Sequence, residues 1–200
     1  MTGSPYDGVP TGEWRALTQE LIDKFPVNKE KLVEIVLESW EDIFKTKIGR
    51  LGYQIGLEIL PQPQIMGFLL HELIPLNLAT RYTDQWRRGQ SSNELDALYI
   101  ADDSFSFEIK TSSDPRNIFG NRSYAYGSEK SKKRREGYYL TVNFGKFTSL
   151  GGIPTLKLIK FGWLDAADWV GQKSQSGQQA SLTTMAKTSK LIILWENLEK

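Results

Sequence analysis

Apolar residues recur at helical spacing through the first third of the chain and then change period. Trp14, Leu17, Leu21, Ile22 and Phe25 fall on one face of a helix expected from Thr11 to Phe25, with Thr11 as its N-cap and Pro26 as its stop. A second helix is predicted from the Asn28 cap, carrying Leu32, Val33, Val36, Leu37, Trp40, Ile43 and Phe44 before Gly49. Both are expected to cover a core rather than to form a subunit interface. Residues 51–64, interrupted by glycine and proline, read as a loop with a short extended piece. The mostly apolar run from Ile65 to Ile74 predicts a third helix that Pro75 kinks or ends.

From Glu94 onward the period falls to two. The runs LDALYI and FSFEIKT flank the polar turn Ala101-Asp102-Asp103-Ser104 and predict a β-hairpin. Along the second run Phe105, Phe107 and Ile109 point to one face, and Ser106, Glu108 and Lys110 to the other. Asp96, near the start of the first run, would be carried across the ladder to Glu108. Two carboxylates and an ammonium would then stand close enough to hold a divalent cation. The alternative is a same-face Glu–Lys pair on a solvated strand, worth a few tenths of a kcal/mol, and periodicity alone divides evenly between the two. Further strands are predicted over 138–144 (YYLTVNF), 155–163 (TLKLIKFGW) and 191–195 (LIILW), with a short helix from Asp165 to Val170 that has Trp169 on its apolar side.

Two hundred residues with 40% apolar content suffice for one buried core, so a single domain spanning 1–200 is expected. The net charge of +1 excludes a uniformly basic nucleic-acid coat. The absence of cysteine excludes disulfides, thiol nucleophiles and thiolate zinc sites, and the single histidine, His71, excludes His-rich metal sites. With neither a long apolar run nor the layout of a signal peptide, a soluble cytoplasmic protein is expected.

Local charge changes this picture. Between Arg116 and Arg135 seven basic residues face one acidic residue, a net of +6. Such a stretch directly after the Glu-x-Lys strand suits phosphate attraction, which makes Arg116, Lys130, Lys132, Lys133, Arg134 and Arg135 candidates for DNA binding. Asn117, Arg122, Ser123 and Tyr124 carry side chains able to read base edges. Ile118, Phe119, Tyr124 and Tyr126 suggest that the long polar segment is partly ordered, on a partner. Arg81, Arg87 and Arg88, interleaved with Tyr82 and Trp86, fit a nucleic-acid backbone or a solvated loop equally well. The glutamine-rich QKSQSGQQAS reads as an exposed loop, with a second DNA-contacting element as the alternative. Glu72, in an apolar helical surround, needs water, a cation or a partner. His71 lies about 100° round the same helix and is assigned a packed, hydrogen-bonded role.

Asp96 followed by Glu108-Ile109-Lys110 across a hairpin resembles the PD-(D/E)xK nuclease superfamily, without the proline, since Leu95 precedes Asp96. The phrases SPYDG, GFLLHELIP, FEIKTSS, IFGNRSYAY, GYYLTVNF and GWLDAADWVGQKSQSGQQA, spread from Ser4 to Ala180, resemble the ScaI-like type II restriction endonucleases. The resemblance implies an α/β (α+β) fold with a mixed sheet of about five strands flanked by helices. It implies a homodimer that cuts double-stranded DNA at a short palindrome and leaves 5′-phosphate ends. Asp96, Glu108, Lys110 and Glu72 would be catalytic, with Asp96, Glu108 and the carbonyl of Ile109 holding the metal. Oxygen donors without sulfur favour Mg2+ over zinc. A structure-selective repair or junction-resolving nuclease and a non-catalytic DNA-binding module remain the alternatives.

Overall fold

The computed structural model describes residues 3–126, 133–148, 152–173 and 177–198. Helix α1 spans Trp14–Asp23 after a 3-10 turn over Thr11–Glu13, and α2 spans Lys29–Lys45. Asn28 caps α2, its side chain accepting the Glu30 N–H at 2.8 Å. Leu32, Ile35, Val36, Trp40 and Ile43 form one buried stripe along α2. A two-stranded ribbon follows, of β1 (Lys47–Ile48) and β2 (Tyr53–Gln54).

Helix α3 spans Pro63–Arg81. Pro63 sits at its first turn, where no amide donor is needed. Pro75 neither ends this helix nor lies near its end. A mid-helix proline costs about 3 kcal/mol, yet Met66, Leu70, Ile74 and Leu78 are all at most 1% exposed. Burying four large side chains at about 1.5–3 kcal/mol each outweighs that cost.

The sheet strands are β3 (Trp86–Arg88), β4 (Ala97–Tyr99), β5 (Phe107–Ser112), β6 (Phe119–Asn121), β7 (Gly137–Phe144), β8 (Leu156–Leu164), β9 (Trp169–Gly171), β10 (Gln179–Leu182) and β11 (Ile192–Glu196). Six form a mixed sheet in the order β11-β8-β7-β5-β4-β3, in which only β5 and β7 run parallel. The helices flank it, giving a restriction-endonuclease-like α+β arrangement with one strand more than the five expected. All eight residues of β7 are buried, as for a strand covered on both faces.

The two faces differ in what covers them. Tyr138, Leu140, Val142 and Phe144 of β7 join Phe107 and Ile109 of β5 in the main core beneath α1, α2 and α3. Phe25, just after α1, packs its ring on Trp86, Phe105, Phe107, Tyr138 and Phe161. On the opposite face Tyr139 meets Ile118, Trp169, Ala180 and Leu182. Trp169, Ala180 and Leu182 come from a second sheet, β6-β10-β9, and Ile118 from just before its strand β6; the one-turn helix α4 (Ser123–Tyr126) accompanies it.

That second sheet corrects three expectations. Trp169 lies on strand β9, because the 3-10 turn Ala166–Asp168 uses up the short helical stretch before it. Gln179 and Ala180 belong to strand β10 rather than to an exposed loop. Ile118 and Tyr124 are ordered by this chain itself, against Tyr139 and Trp169, and need no partner for it. The hairpin is also looser than a tight turn: a 3-10 turn over Asp103–Phe105 fills the connection, and β4 pairs β5 only at Ala97 and Phe107.

Gly67 sets the approach of α3 to the sheet. A Cβ at this position would lie 2.6 Å from Thr111 Oγ1 on β5. A valine there adds bulk that rotation of Thr111 cannot absorb. Gly67→Val is therefore expected to lower stability by about 1–3 kcal/mol, the usual cost of overpacking. Urea denaturation checks it, and an unchanged midpoint would contradict the close approach.

Candidate active site

Strand β4 parts from β5 after one paired position, which leaves the Ile109 N–H facing an edge without a strand partner. A buried amide so placed requires an acceptor. Asp96, directly before β4, supplies it: Oδ2 accepts the Ile109 N–H at 2.7 Å. The N–H and C=O of a strand residue point to the same edge, so the Ile109 carbonyl is turned toward this region too. His71 completes the hold on Oδ2, with Nδ1 at 3.3 Å. It stands one turn beyond Gly67 on α3, on the face that Gly67 brings close to the sheet.

Two residues apart on β5, Glu108 and Lys110 share a face, and Lys110 Nζ lies 2.7 Å from Glu108 Oε1. The Tyr124 hydroxyl from α4 donates to the same oxygen at 2.7 Å. Lys110 also sits 4.4 Å from the centroid of the Tyr124 ring, so one tyrosine holds both residues of the pair. Burial, then the nearby charge of Glu108, pushes the Tyr124 phenol far above its ordinary pKa and keeps it a donor.

Each carboxylate thus commits one oxygen to the fold, and the other oxygens turn toward Lys133. Its Nζ lies 2.7 Å from Glu108 Oε2 and 3.9 Å from Asp96 Oδ1. The approach to Oε2 is an ion pair without the alignment of a hydrogen bond, and among the described residues this buried oxygen has no hydrogen-bond donor. The Glu108 side chain is only 4% exposed, so its charge depends on these neighbours. Burial alone would push the Asp96 carboxyl up. The His71 contact, the charge of Lys133 and the Ile109 N–H outweigh burial and hold it below the usual carboxylate range.

Glu72 turns elsewhere. Its Oε2 pairs with Arg88 at 2.5 Å, on the rim of a cleft of about 150 Å³ that His71, Asp96 and Lys133 also line. His71, and not Glu72, is therefore the α3 side chain that meets Asp96, and it faces the site across an ion-pair distance. Arg81 and Arg87 are likewise paired, with Glu34 and Glu38 and with Glu94, while Trp86 is buried in the core. These pairs leave neither arginine as a bare cation.

Among the basic candidates, Lys130 and Lys132 lie outside the described residues. Arg116 is largely exposed and pairs with Glu196 at 2.9 Å. Asn117 is held by the Asp114 carboxylate at its own N–H, and its Oδ1 accepts from Lys187 at 2.9 Å. Arg122 donates to the Gly177 carbonyl, Arg134 pairs with Asp103, and Arg135 donates to the carbonyl of Tyr124. Ser123 is exposed at the start of α4. Tyr124 and Lys133, both candidates for DNA contacts, also stand against Glu108. No local pattern announces either contact, because both join residues far apart in sequence. His71 had a signal, in its four-residue offset from Gly67.

Among the described residues no three His, Asp or Glu side chains gather around one point. A cation here would rest on Asp96 Oδ1, Glu108 Oε2, the Ile109 carbonyl and water, an all-oxygen set suited to a hard divalent ion. The buried oxygen of Glu108 without a hydrogen-bond donor fits that use.

A family model described as ScaI restriction endonuclease matches residues 4–195. Type II restriction enzyme ScaI of Streptomyces caespitosus is 45% identical over 193 residues, covering 96% of this chain and 84% of that protein.

The lowered Asp96 pKa fixes the sign of an acid effect. The stability it contributes is complete above the unfolded carboxylate value of about 3.9 and is lost as pH falls through the lower folded value. Urea midpoints measured across acid pH should fall more steeply for the wild type than for Asp96→Asn, and parallel curves would contradict the assignment.

Proposed function

We propose that this chain, which belongs to the ScaI restriction endonuclease family and is a type II site-specific deoxyribonuclease, uses Mg2+ to cut double-stranded DNA at a short palindrome. The observation that carries the site assignment is the division of oxygens: Asp96 and Glu108 are each anchored through one oxygen and offer the other to a shared cation. Asp96, Glu108 and the Ile109 carbonyl would hold the metal, in the manner of PD-(D/E)xK nucleases. When bound, Mg2+ polarises the scissile phosphate and lowers the pKa of a water molecule.

The chain's own groups do the rest. Lys110, anchored by Glu108 and the Tyr124 ring, orients the attacking water and offsets negative charge that builds on the phosphate. Attack on phosphorus with departure of the 3′ oxygen leaves a 3′-hydroxyl and a 5′-phosphate. His71 and the Ile109 N–H keep Asp96 in place and ionised. Glu72 acts from the rim of the cleft, through Arg88, rather than on the cation.

A single site cuts one strand, and a palindrome presents the same half-site twice. A two-fold homodimer meets that symmetry, with one site on each strand. Each subunit would be one domain, acting in the cytoplasm beside a protecting methylation activity. No helix among the described residues is long and apolar enough to cross a membrane. The basic segment from Arg116 to Arg135 would approach the DNA backbone, and Asn117, Arg122, Ser123 and Tyr124 carry side chains able to read base edges.

Plasmid digestion with Mg2+ is expected to give discrete fragments, with no cutting in EDTA, and sequencing the fragment ends then gives the recognition site and the cut position. A smear, or cutting confined to branched DNA, would favour a structure-selective nuclease. Lys110→Ala is expected to reduce the single-turnover cleavage rate by roughly 10²–10³-fold or more while duplex binding persists. Cleavage at the wild-type rate would remove Lys110 from the reaction.

A further inference from the structure

We propose that Lys133 is a displaceable internal counter-ion: its ammonium holds the cation's place between Asp96 and Glu108 until a divalent metal enters, and a DNA phosphate then receives it. The proposal rests on the metal reading above and goes beyond it, since it concerns what occupies the site before metal and substrate arrive.

Among the described residues, Lys133 is the one group that faces both of these carboxylate oxygens, at 2.7 Å from Glu108 Oε2 and 3.9 Å from Asp96 Oδ1. Divalent metal–oxygen distances are about 2.0–2.6 Å, so a metal on these oxygens would claim the same space. Two cations cannot share it. The other neighbours of the carboxylates do not conflict in this way, because Lys110 and Tyr124 bind Glu108 through Oε1, and His71 and the Ile109 N–H bind Asp96 through Oδ2.

A buried carboxylate without a counter-charge is costly, which is why an ammonium belongs there in the free protein. Its side chain is 20% exposed and its approach to Oε2 lacks hydrogen-bond alignment, so it is held by charge more than by geometry. The metal restores the lost neutralisation as the lysine leaves. The freed ammonium needs an anion, and the nearest one in a productive complex is the substrate backbone. Metal and DNA thereby favour each other's binding through one side chain, as linkage requires.

Calcium titrations by calorimetry on the DNA-free protein test this, with Lys133→Met and the charge-conserving Lys133→Arg beside the wild type. Lys133→Met is expected to bind Ca2+ roughly ten- to a hundredfold more tightly than the wild type, and Lys133→Arg about as weakly as the wild type. Thermal melting gives a second readout that activity does not enter. Lys133→Met should melt lower than the wild type without Ca2+ and gain more from it. A non-cleaved duplex should tighten Ca2+ binding more for the wild type than for Lys133→Met, the difference being the part that Lys133 carries. Equal Ca2+ affinity and equal melting gains for wild type and Lys133→Met would overturn the role of Lys133 and leave the metal site standing. No Ca2+ binding by either protein, with or without duplex, would overturn the proposal together with the metal reading.

Discussion

A carboxylate that is 4% exposed on the central sheet is the constraint around which the site is arranged. Burying a carboxylate there is costly unless it is paired and hydrogen-bonded. Lys110, Tyr124 and Lys133 surround it, and each arrives from a different distance in the chain. Lys110 comes with the strand itself. Tyr124 comes with the small sheet and its one-turn helix, and Lys133 from the segment that follows. The burial of Glu108 and the means of tolerating it are thus made by the same covering layer.

That layer explains why the six-stranded sheet has two unlike faces. The face under the three long helices is mainly aromatic and aliphatic, with Phe25 packed among five other rings. Its work is to hold β5 rigid. The other face receives the polar side chains of β5 and the packing of Tyr139 against Trp169. Because strand side chains alternate, rigidity on the first face becomes positional accuracy on the second. Gly67 adds the third direction, letting α3 come close enough for His71 to reach Asp96.

The basic character of the chain is similarly partitioned. Much of the +6 segment is engaged inside the molecule: Arg135 braces α4, Arg134 ties to Asp103, and Lys133 sits between the site carboxylates. Positive charge near the Asp96 and Glu108 carboxylates therefore serves first to hold the free protein together. Its availability to phosphate follows from what each cation would have to give up, which differs from residue to residue. A count of charges along the sequence cannot distinguish these cases.

Much of this was legible in the amino-acid order, wherever the determining physics is local. Helical spacing and the Asn28 cap located the first two helices, and period-two alternation put Glu108 and Lys110 on one face of β5, because these patterns depend only on backbone geometry. The phrases shared with a restriction endonuclease family carried the identity. Local pattern failed where distant residues decide. Pro75 lies within a helix because core burial overrides its cost, and Trp169 lies on a strand because β10 pairs beside it. His71 and Glu72 differ by about 100° on one helix, and only the docking of α3 selects which faces Asp96. Tyr124 and Lys133 reach Glu108 from 16 and 25 residues away along the chain. Contacts of that separation follow from how the layers close on one another, which only the folded chain determines.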